Sequence, residues 1–301
     1  MKAVRIHSFG GPEVLQMEDL AVPSPTSAEC LVKVGAASVN PVDYKIRQGK
    51  FPKITQRDLP IILGRDVCGT VQGAGGDERP VMALLPWGAG GYTEFVALPK
   101  DLCVPQPRNL SSVEAAAVPL AAMTAWQGLF DHGHLEKGQR VLIHAGSGGV
   151  GHFAVQLAAT RGATVISTAS KDNVDFVQGL GADAVIDYTS QRFEDEVSDV
   201  DMVFDLVGGE TRERSWKTLR RGGILVSTLG QPSEQEAAQH GVRAKGYMTE
   251  PNGAQLAQIA RLIEEDRVRS VVTKTFKLAQ AAAAQSCLEQ EHPRGKVVLE
   301  T

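Results

Sequence analysis

Gly146, Ser147, Gly148, Gly149, Val150 and Gly151 form the stretch whose residue types and spacing bear most directly on chemistry. Glycines 146, 148 and 151 fit G-x-G-x-x-G, a spacing that lets main-chain N–H groups approach a diphosphate which side chains would hold off. Gly146 is assigned the tight turn, Gly148 the approach to the pyrophosphate, and Gly151 the packing of the next helix on the preceding strand. The positive end of that helix would meet the phosphate charge. A glycine-rich turn that binds nothing is the competing reading, and the flanking pattern has to decide between them.

The residues about 20 positions further on bear on which dinucleotide is held. NAD-specific proteins carry an acid there, accepting from the ribose hydroxyls. This chain has Ile166-Ser167-Thr168-Ala169-Ser170-Lys171, with no acid. Ser170 can donate to a 2′-phosphate and Lys171 can add opposite charge, so NADPH is the expected cofactor. Two readings oppose this: Lys171 is simply solvated at a helix start, or Asp172 turns inward.

The elements around these residues are legible. Val141-Leu142-Ile143 is a buried strand, and Val150, Phe153, Ala154, Leu157 and Ala158 form the stripe of a helix with one buried face. Further strands are expected at Thr164–Ser167, Ala184–Ile186, Asp201–Asp205 and Gly223–Ser227, with helices at Asn173–Leu180, Glu210–Leu219 and Gly253–Glu264. That alternation predicts a doubly wound α/β domain with a parallel sheet. Leu206, Val207, Thr228 and Leu229 then fall at strand ends, where a cofactor crevice is expected; Leu206 and Val207 read equally as strand-end packing.

The first hundred residues have another texture. Val4–Ile6, Leu31–Val34 and Tyr92–Val96 are short β-type runs, punctuated by Gly10-Gly11-Pro12, Pro23-Ser24-Pro25 and Gly88–Gly91. Val271–Leu278 and Lys296–Leu299 look like strands that return to this domain. The expected organisation is a β-rich domain over 1–110, completed by 269–301, with the nucleotide domain inserted at 111–268.

Composition excludes several classes. The 301 residues carry a formal net charge of −4, and the basic residues form no run beyond Arg220-Arg221, which argues against nucleic-acid binding. No apolar run approaches membrane-spanning length, and MKAVRIHSFGG lacks a signal-peptide core, so a cytoplasmic protein is expected. Cys30, Cys68, Cys103 and Cys287 have no C-x-x-C spacing and read as separate reduced thiols. His132-Gly133-His134 reads as a solvated loop, and His144 and His152 as packing or hydrogen-bonding residues.

Several blocks together resemble the medium-chain dehydrogenase/reductases, in their zinc-free quinone oxidoreductase branch. They include Asn40-Pro41-Val42-Asp43-Tyr44-Lys45, Leu63-Gly64-Arg65-Asp66-Val67-Cys68-Gly69, Gly91–Val96, Pro119–Trp126, Gly181-Ala182-Asp183 and Arg294–Leu299. The resemblance implies a GroES-like substrate domain and a Rossmann domain, with the cofactor in the cleft between them. It implies Thr124 at the nicotinamide end and Tyr188 completing the 2′-phosphate pocket. Zinc-dependent relatives carry a cysteine where this chain has Asn40 and a histidine where it has Arg65, so no metal is expected. A homodimer through an edge strand near Gly223–Leu229 is also implied.

The implied reaction moves a hydride onto a quinone or an α,β-unsaturated carbonyl, and negative charge then grows on the substrate oxygen. Asn40, Tyr44 and Lys45 are the candidate donors, with Lys45 alternatively bonding the ribose. Asn40 and Asp43 read also as caps of the turn after Pro41, and Tyr44 as a surface residue. The alternative activities are an enoyl-thioester reductase and a non-catalytic NADPH-binding redox sensor.

Overall fold

The computed structural model describes residues 1–72 and 77–301. The chain begins with β1 (Lys2–Ile6), β2 (Gln16–Asp19), β3 (Glu29–Val39), α1 (Pro41–Arg47), β4 (Ile61–Ile62), β5 (Asp66–Gln72), β6 (Glu78–Leu84), β7 (Phe95–Pro99), β8 (Val104–Pro105) and α2 (Ser112–Ala116). It continues through α3 (Pro119–Trp126), β9 (Arg140–Ile143), α4 (Gly151–Arg161), β10 (Thr164–Ala169), α5 (Val174–Gln178), β11 (Ala184–Asp187) and α6 (Phe193–Glu196). Then come β12 (Val200–Asp205), α7 (Gly209–Ser215), β13 (Leu219–Ser227), α8 (Glu234–His240) and β14 (Arg243–Gly246). The last elements are α9 (Gly253–Glu264), β15 (Val272–Lys277), α10 (Ala281–Glu291) and β16 (Lys296–Glu300).

These elements fall into two compact units, Met1–Leu120 with Glu250–Thr301, and Ala121–Thr249. The bounds differ from the sequence expectation of 110/111 and 268/269. Side-chain bonds explain the shift at both ends. Asn109 Nδ2 donates to the Ile263 carbonyl at the end of α9 (2.7 Å), and the Leu120 N–H donates to Asp66 Oδ1 (2.5 Å). The first of these ties α9 to the β-rich unit, although its amphipathic pattern suited the nucleotide unit equally well.

The first unit holds a seven-stranded sheet ordered β15-β16-β3-β5-β6-β8, with β7 also on β3, and a three-stranded sheet ordered β2-β1-β4. Long β3 serves two neighbours on one side, because Glu29–Lys33 pairs with β7 and Ala36–Val39 with β16. Gly69 of β5 allows the close approach to β3, since a Cβ there would lie 2.1 Å from the Lys33 carbonyl oxygen. The core contains Ile6, Val32, Val34, Leu63, Tyr92, Leu98, Val297 and Leu299.

The second unit is a parallel six-stranded sheet ordered β11-β10-β9-β12-β13-β14. Its core gathers Leu142, Ile166, Ile186, Phe193, Val203, Trp216 and Leu225. The dimer edge expected near Gly223–Leu229 is misplaced. That strand is interior, pairing in parallel with β12 on one side and β14 on the other, so the open edges are β11 and β14. Strand β14, Arg-Ala-Lys-Gly, is too short and too basic to be read as a strand from pattern alone. Among the described residues no helix is long and apolar enough to cross a membrane.

Candidate active site

In the second unit the glycine stretch joins β9 to α4. Gly146 and Gly151 are buried, while Ser147, Gly148, Gly149 and Val150 are partly exposed. A Cβ on Gly146 would lie 2.2 Å from Ser167 Oγ, and one on Gly151 would lie 2.0 Å from the Ala145 carbonyl oxygen. Gly146 is therefore needed for contact with β10. The residue of the tight turn that takes a left-handed conformation is Ala145, with φ of 55°. A Cβ on Gly148 would meet only the Ala145 carbonyl oxygen, at 3.4 Å. Helix α4 begins after Val150, which offers no capping side chain. An eleven-residue helix with no side-chain cap behind an open glycine turn fits a diphosphate, although the His152 N–H of its first turn already donates to the Gly148 carbonyl (3.0 Å).

Strand pairing brings the 2′-phosphate candidates together. Ala169 of β10 lies opposite Asp187 of β11, so Ser170-Lys171 and Tyr188 leave the sheet side by side. The Tyr188 N–H donates to the Ala169 carbonyl (3.1 Å), and its side chain is exposed. Asn173 Nδ2 donates to Ser170 Oγ (2.9 Å), leaving the Ser170 hydroxyl proton available, and Lys171 is exposed. The nearest acid on β11, Asp187, accepts from the Thr189 N–H (2.9 Å), Thr189 Oγ1 (2.6 Å) and Ser190 Oγ (2.8 Å). Those bonds, with Lys171 adding a smaller attraction, hold its carboxyl below the usual range.

The next strand ends are held by a group that pattern reading did not single out. Asp205, fully buried at the end of β12, accepts from the Val207 (3.0 Å) and Gly208 (2.7 Å) N–H groups. Its other oxygen accepts from Arg212 Nε (2.7 Å) and Ser227 Oγ (2.8 Å). Arg212 Nη2 reaches on to the Leu229 carbonyl (3.0 Å), and Ser227 Oγ accepts from the Leu229 N–H (3.0 Å). Hydrogen bonds from these donors hold the Asp205 carboxyl low against its burial. One buried carboxylate thus fixes Leu206-Val207-Gly208 and Thr228-Leu229 together. The available signal was an acid closing the apolar run Met202-Val203-Phe204, with an arginine seven residues on. Of six exposed large hydrophobic side chains among the described residues, Tyr188, Val207, Leu229 and Met248 follow β11, β12, β13 and β14. This concentration marks the carboxyl edge of the sheet as a surface built to be covered.

Thr124 lies on α3, buried, with Oγ1 2.7 Å from Thr249 Oγ1 and its carbonyl accepting from Tyr247 Oη (2.5 Å). His144 is buried between Thr168 Oγ1 (3.2 Å) and Ser215 Oγ (2.8 Å), and burial pushes its pKa down to about 4. It is a neutral packing residue. His132 and His134 border a cavity of about 600 Å³ with Asp131, Glu234 and Lys245. The described residues include no group of three or more His, Cys, Asp or Glu side chains able to hold a metal.

In the first unit, Asn40 caps α1 with its main chain, and its side chain points elsewhere. Nδ2 donates to Asp66 Oδ2 (2.8 Å) and lies 3.3 Å from Ser38 Oγ, while Oδ1 accepts from Lys296 Nζ. Both ends of the amide are occupied, so the direct-donor role expected for Asn40 conflicts with this geometry. The capping reading holds for Asp43. It accepts from the Asn40 N–H (2.8 Å), Tyr92 Oη (3.0 Å) and the Gly64 N–H (3.2 Å). Arg65 is buried too, donating from Nε to the Leu85 carbonyl (3.0 Å) with its guanidinium carbon 3.6 Å from the centre of the Trp87 ring. Tyr44 and Lys45, one step along α1, are half-buried, and among the described residues no hydrogen bond engages the Tyr44 hydroxyl or the Lys45 ammonium. Burial, then Glu289, raises the Tyr44 hydroxyl above its ordinary pKa, keeping it protonated.

The buried Asp43 also yields a pH prediction. Burial raises its pKa to about 6, above that of an unfolded aspartate. The folded chain therefore holds this proton more tightly, and the associated stability, full below about pH 4, is lost as pH rises through 6. Relative to Asp43→Asn, the wild type should lose thermal stability between pH 4 and 6.5. Paired thermal melts across that range provide the measurement; parallel curves would contradict the assignment.

Known proteins resemble the chain in both units, and the second of two matching family profiles runs across the boundary at 249/250. The profile described as "Alcohol dehydrogenase GroES-like domain" matches residues 26–108, and the one described as "Zinc-binding dehydrogenase" matches residues 180–299. The chain is 36% identical over 319 residues to the Arabidopsis thaliana "NADPH-dependent alkenal/one oxidoreductase, chloroplastic", covering 99% of this chain and 79% of that protein. It superposes on the quinone oxidoreductase of Coxiella burnetii with a TM-score of 0.91 and 37% identity, covering 100% and 99% of the two chains. It also matches the Escherichia coli quinone oxidoreductase complexed with NADPH, with a TM-score of 0.89, 26% identity and 100% of both chains covered. The glycine turn, the β-rich first unit and these matches along the whole chain agree: the chain belongs to the medium-chain dehydrogenase/reductase superfamily, in its quinone oxidoreductase branch.

Proposed function

We propose that this chain is an NADPH-dependent oxidoreductase that reduces quinones or α,β-unsaturated carbonyls without zinc. The observation that carries the reading is the β10–β11 junction beyond the glycine turn, where Ser170, Lys171 and Tyr188 stand together and Asp187 is tied to its own loop. The relative from Arabidopsis thaliana and the Escherichia coli structure, named for NADPH chemistry and solved with NADPH respectively, support the same cofactor. NADPH supplies the hydride when bound. Gly146–Gly151 would hold its diphosphate, Ser170, Lys171 and Tyr188 its 2′-phosphate, and Thr124, Leu206, Val207, Thr228 and Leu229 would line the remainder.

On the substrate side, Tyr44 and Lys45 are assigned as donors to the carbonyl oxygen, where charge accumulates. Asn40 becomes a positioning residue, locking the start of α1 to Asp66 and Lys296. Zinc independence rests on the side chains at the two ligand positions, an amide at Asn40 and a stacked guanidinium at Arg65. A homodimer would form through β14, an open edge of the parallel sheet.

The purified protein should oxidise NADPH with at least one member of a panel of quinones and enones, and keep that activity after exhaustive chelation. Tight NADPH binding without turnover across the panel would favour the redox sensor, and zinc lost together with activity would overturn the metal-free mechanism. Tyr44→Phe should lower kcat roughly tenfold to a hundredfold while leaving the Kd for NADPH in place, because a donor to developing charge acts in the transition state. An unchanged kcat removes Tyr44 from the reaction. Lys171→Glu should raise the KM for NADPH at least roughly tenfold and leave that for NADH nearly unchanged, since it reverses a charge that the 2′-phosphate would meet and a 2′-hydroxyl would not. Equal losses with both cofactors would place Lys171 outside the pocket.

A further inference from the structure

We propose that Cys30 and Cys103 are an oxidation site, closing to an intramolecular disulfide when a peroxide reaches them. Read from the sequence, the four cysteines are unrelated thiols. The fold brings two of them together: Cys30 Sγ and Cys103 Sγ are 2.9 Å apart across 73 positions of chain. Both residues are half-buried, and both are free thiols.

The main chain around the pair is already clamped. Cys30 of β3 lies opposite Leu98 of β7, and Glu29 opposite Pro99. The Lys100 N–H donates to the Ala28 carbonyl (3.1 Å), and Lys100 Nζ to the Ser27 carbonyl (2.8 Å). Cys103 follows the short 3₁₀ turn Lys100–Leu102, so the turn and the start of β3 are held together before any sulfur bond forms. A disulfide needs its two main-chain positions preset in this way. The other two cysteines have no such neighbour. Cys68 is buried, within 3.1 Å of Gln106 Oε1, and burial pushes its thiol up to about 12. Cys287 is buried in α10. Oxidation is therefore selective for one pair.

Burial, and then the neighbouring thiol, push the Cys103 thiol up. Cys30 is held within β3 and Cys103 lies just past the 3₁₀ turn, so the first attack is assigned to Cys30 and the resolving step to Cys103. The Cys30 thiol gives up its proton, and its sulfur attacks one peroxide oxygen. The O–O bond breaks, and hydroxide leaves and takes up that proton as water, giving a sulfenic acid on Cys30. The Cys103 sulfur then attacks the Cys30 sulfur as its own proton leaves. The S–OH bond breaks, and hydroxide with that proton becomes the second water. The two sulfurs lose two electrons and the peroxide gains them.

The new bond would restrain the unfolded chain over a long loop. In the native state it would stiffen the turn that seats α9, since a Cβ on Gly253 would lie 1.9 Å from the Asp101 carbonyl oxygen. Neither effect depends on the activity proposed above.

The test treats the reduced full-length protein with hydrogen peroxide and counts free thiols, with peptide mapping by mass spectrometry. Two of the four thiols should disappear into a Cys30–Cys103 link, and the thermal midpoint should rise by roughly 5 °C or more, reversibly with dithiothreitol. Cys103→Ser should instead stop at a sulfenic acid on Cys30 that dimedone traps, with no rise in midpoint. Four free thiols after treatment, a link through Cys68 or Cys287, or the same rise in Cys103→Ser would overturn the proposal.

Discussion

The β-rich unit depends on the need to satisfy one buried acid, Asp66. Its side chain accepts from Ser38 Oγ, from Asn40 Nδ2 (2.8 Å) and from the Leu120 N–H (2.5 Å), with Lys296 Nζ 3.9 Å away. The end of β3, the cap of α1, the first residue of β5, the start of α3 and the first residue of β16 meet at that point. A buried carboxyl left without partners is costly, so each of these segments is held where its donor reaches Asp66. Lys296 pays part of the same constraint: burial pulls its pKa down, while Asp66 and Asp43 draw it back up.

The second unit solves a parallel problem with Asp205. Main-chain N–H groups at positions 207 and 208 are left over where β12 ends, and Asp205 takes both. Arg212 and Ser227 then carry the same carboxylate to the loop after β13. The carboxyl edge of the sheet is braced at this point by its own side chains, and it still exposes Val207 and Leu229. Under the function proposed above, an apolar-tipped edge braced in this way would lower the ordering cost of a bound dinucleotide.

The Asp66 arrangement gives the Asn40 amide a different setting from the one its local sequence suggests. An amide in a polar block ahead of a short helix is an obvious donor when nothing is known of its neighbours. Its neighbours turned out to be Asp66 and Lys296, 26 and 256 positions away. Tyr44 and Lys45, on the same helix but without such partners, retain free donors. Which residue keeps a free donor depends on long-range packing, which local pattern does not encode.

The sequence by itself determined the parallel α/β unit, the glycine turn between β9 and α4, the acid-free stretch at Ser170-Lys171 and the β-type character of the first hundred residues. All of these follow from local period, turn chemistry and charge, which act within about 20 residues. Tertiary structure alone decided the rest. It placed α9 with the β-rich unit through Asn109, and made β13 interior by adding the short basic strand β14 outside it. It set Ala145 in the left-handed conformation ahead of the glycines, and it packed Ser167 so that no Cβ fits at position 146. It also gathered Ser38, Asp66 and Lys296, and set Cys30 against Cys103. Buried polar groups and sulfurs take whichever partner the completed fold brings within reach, and in this chain those partners come from distant strands.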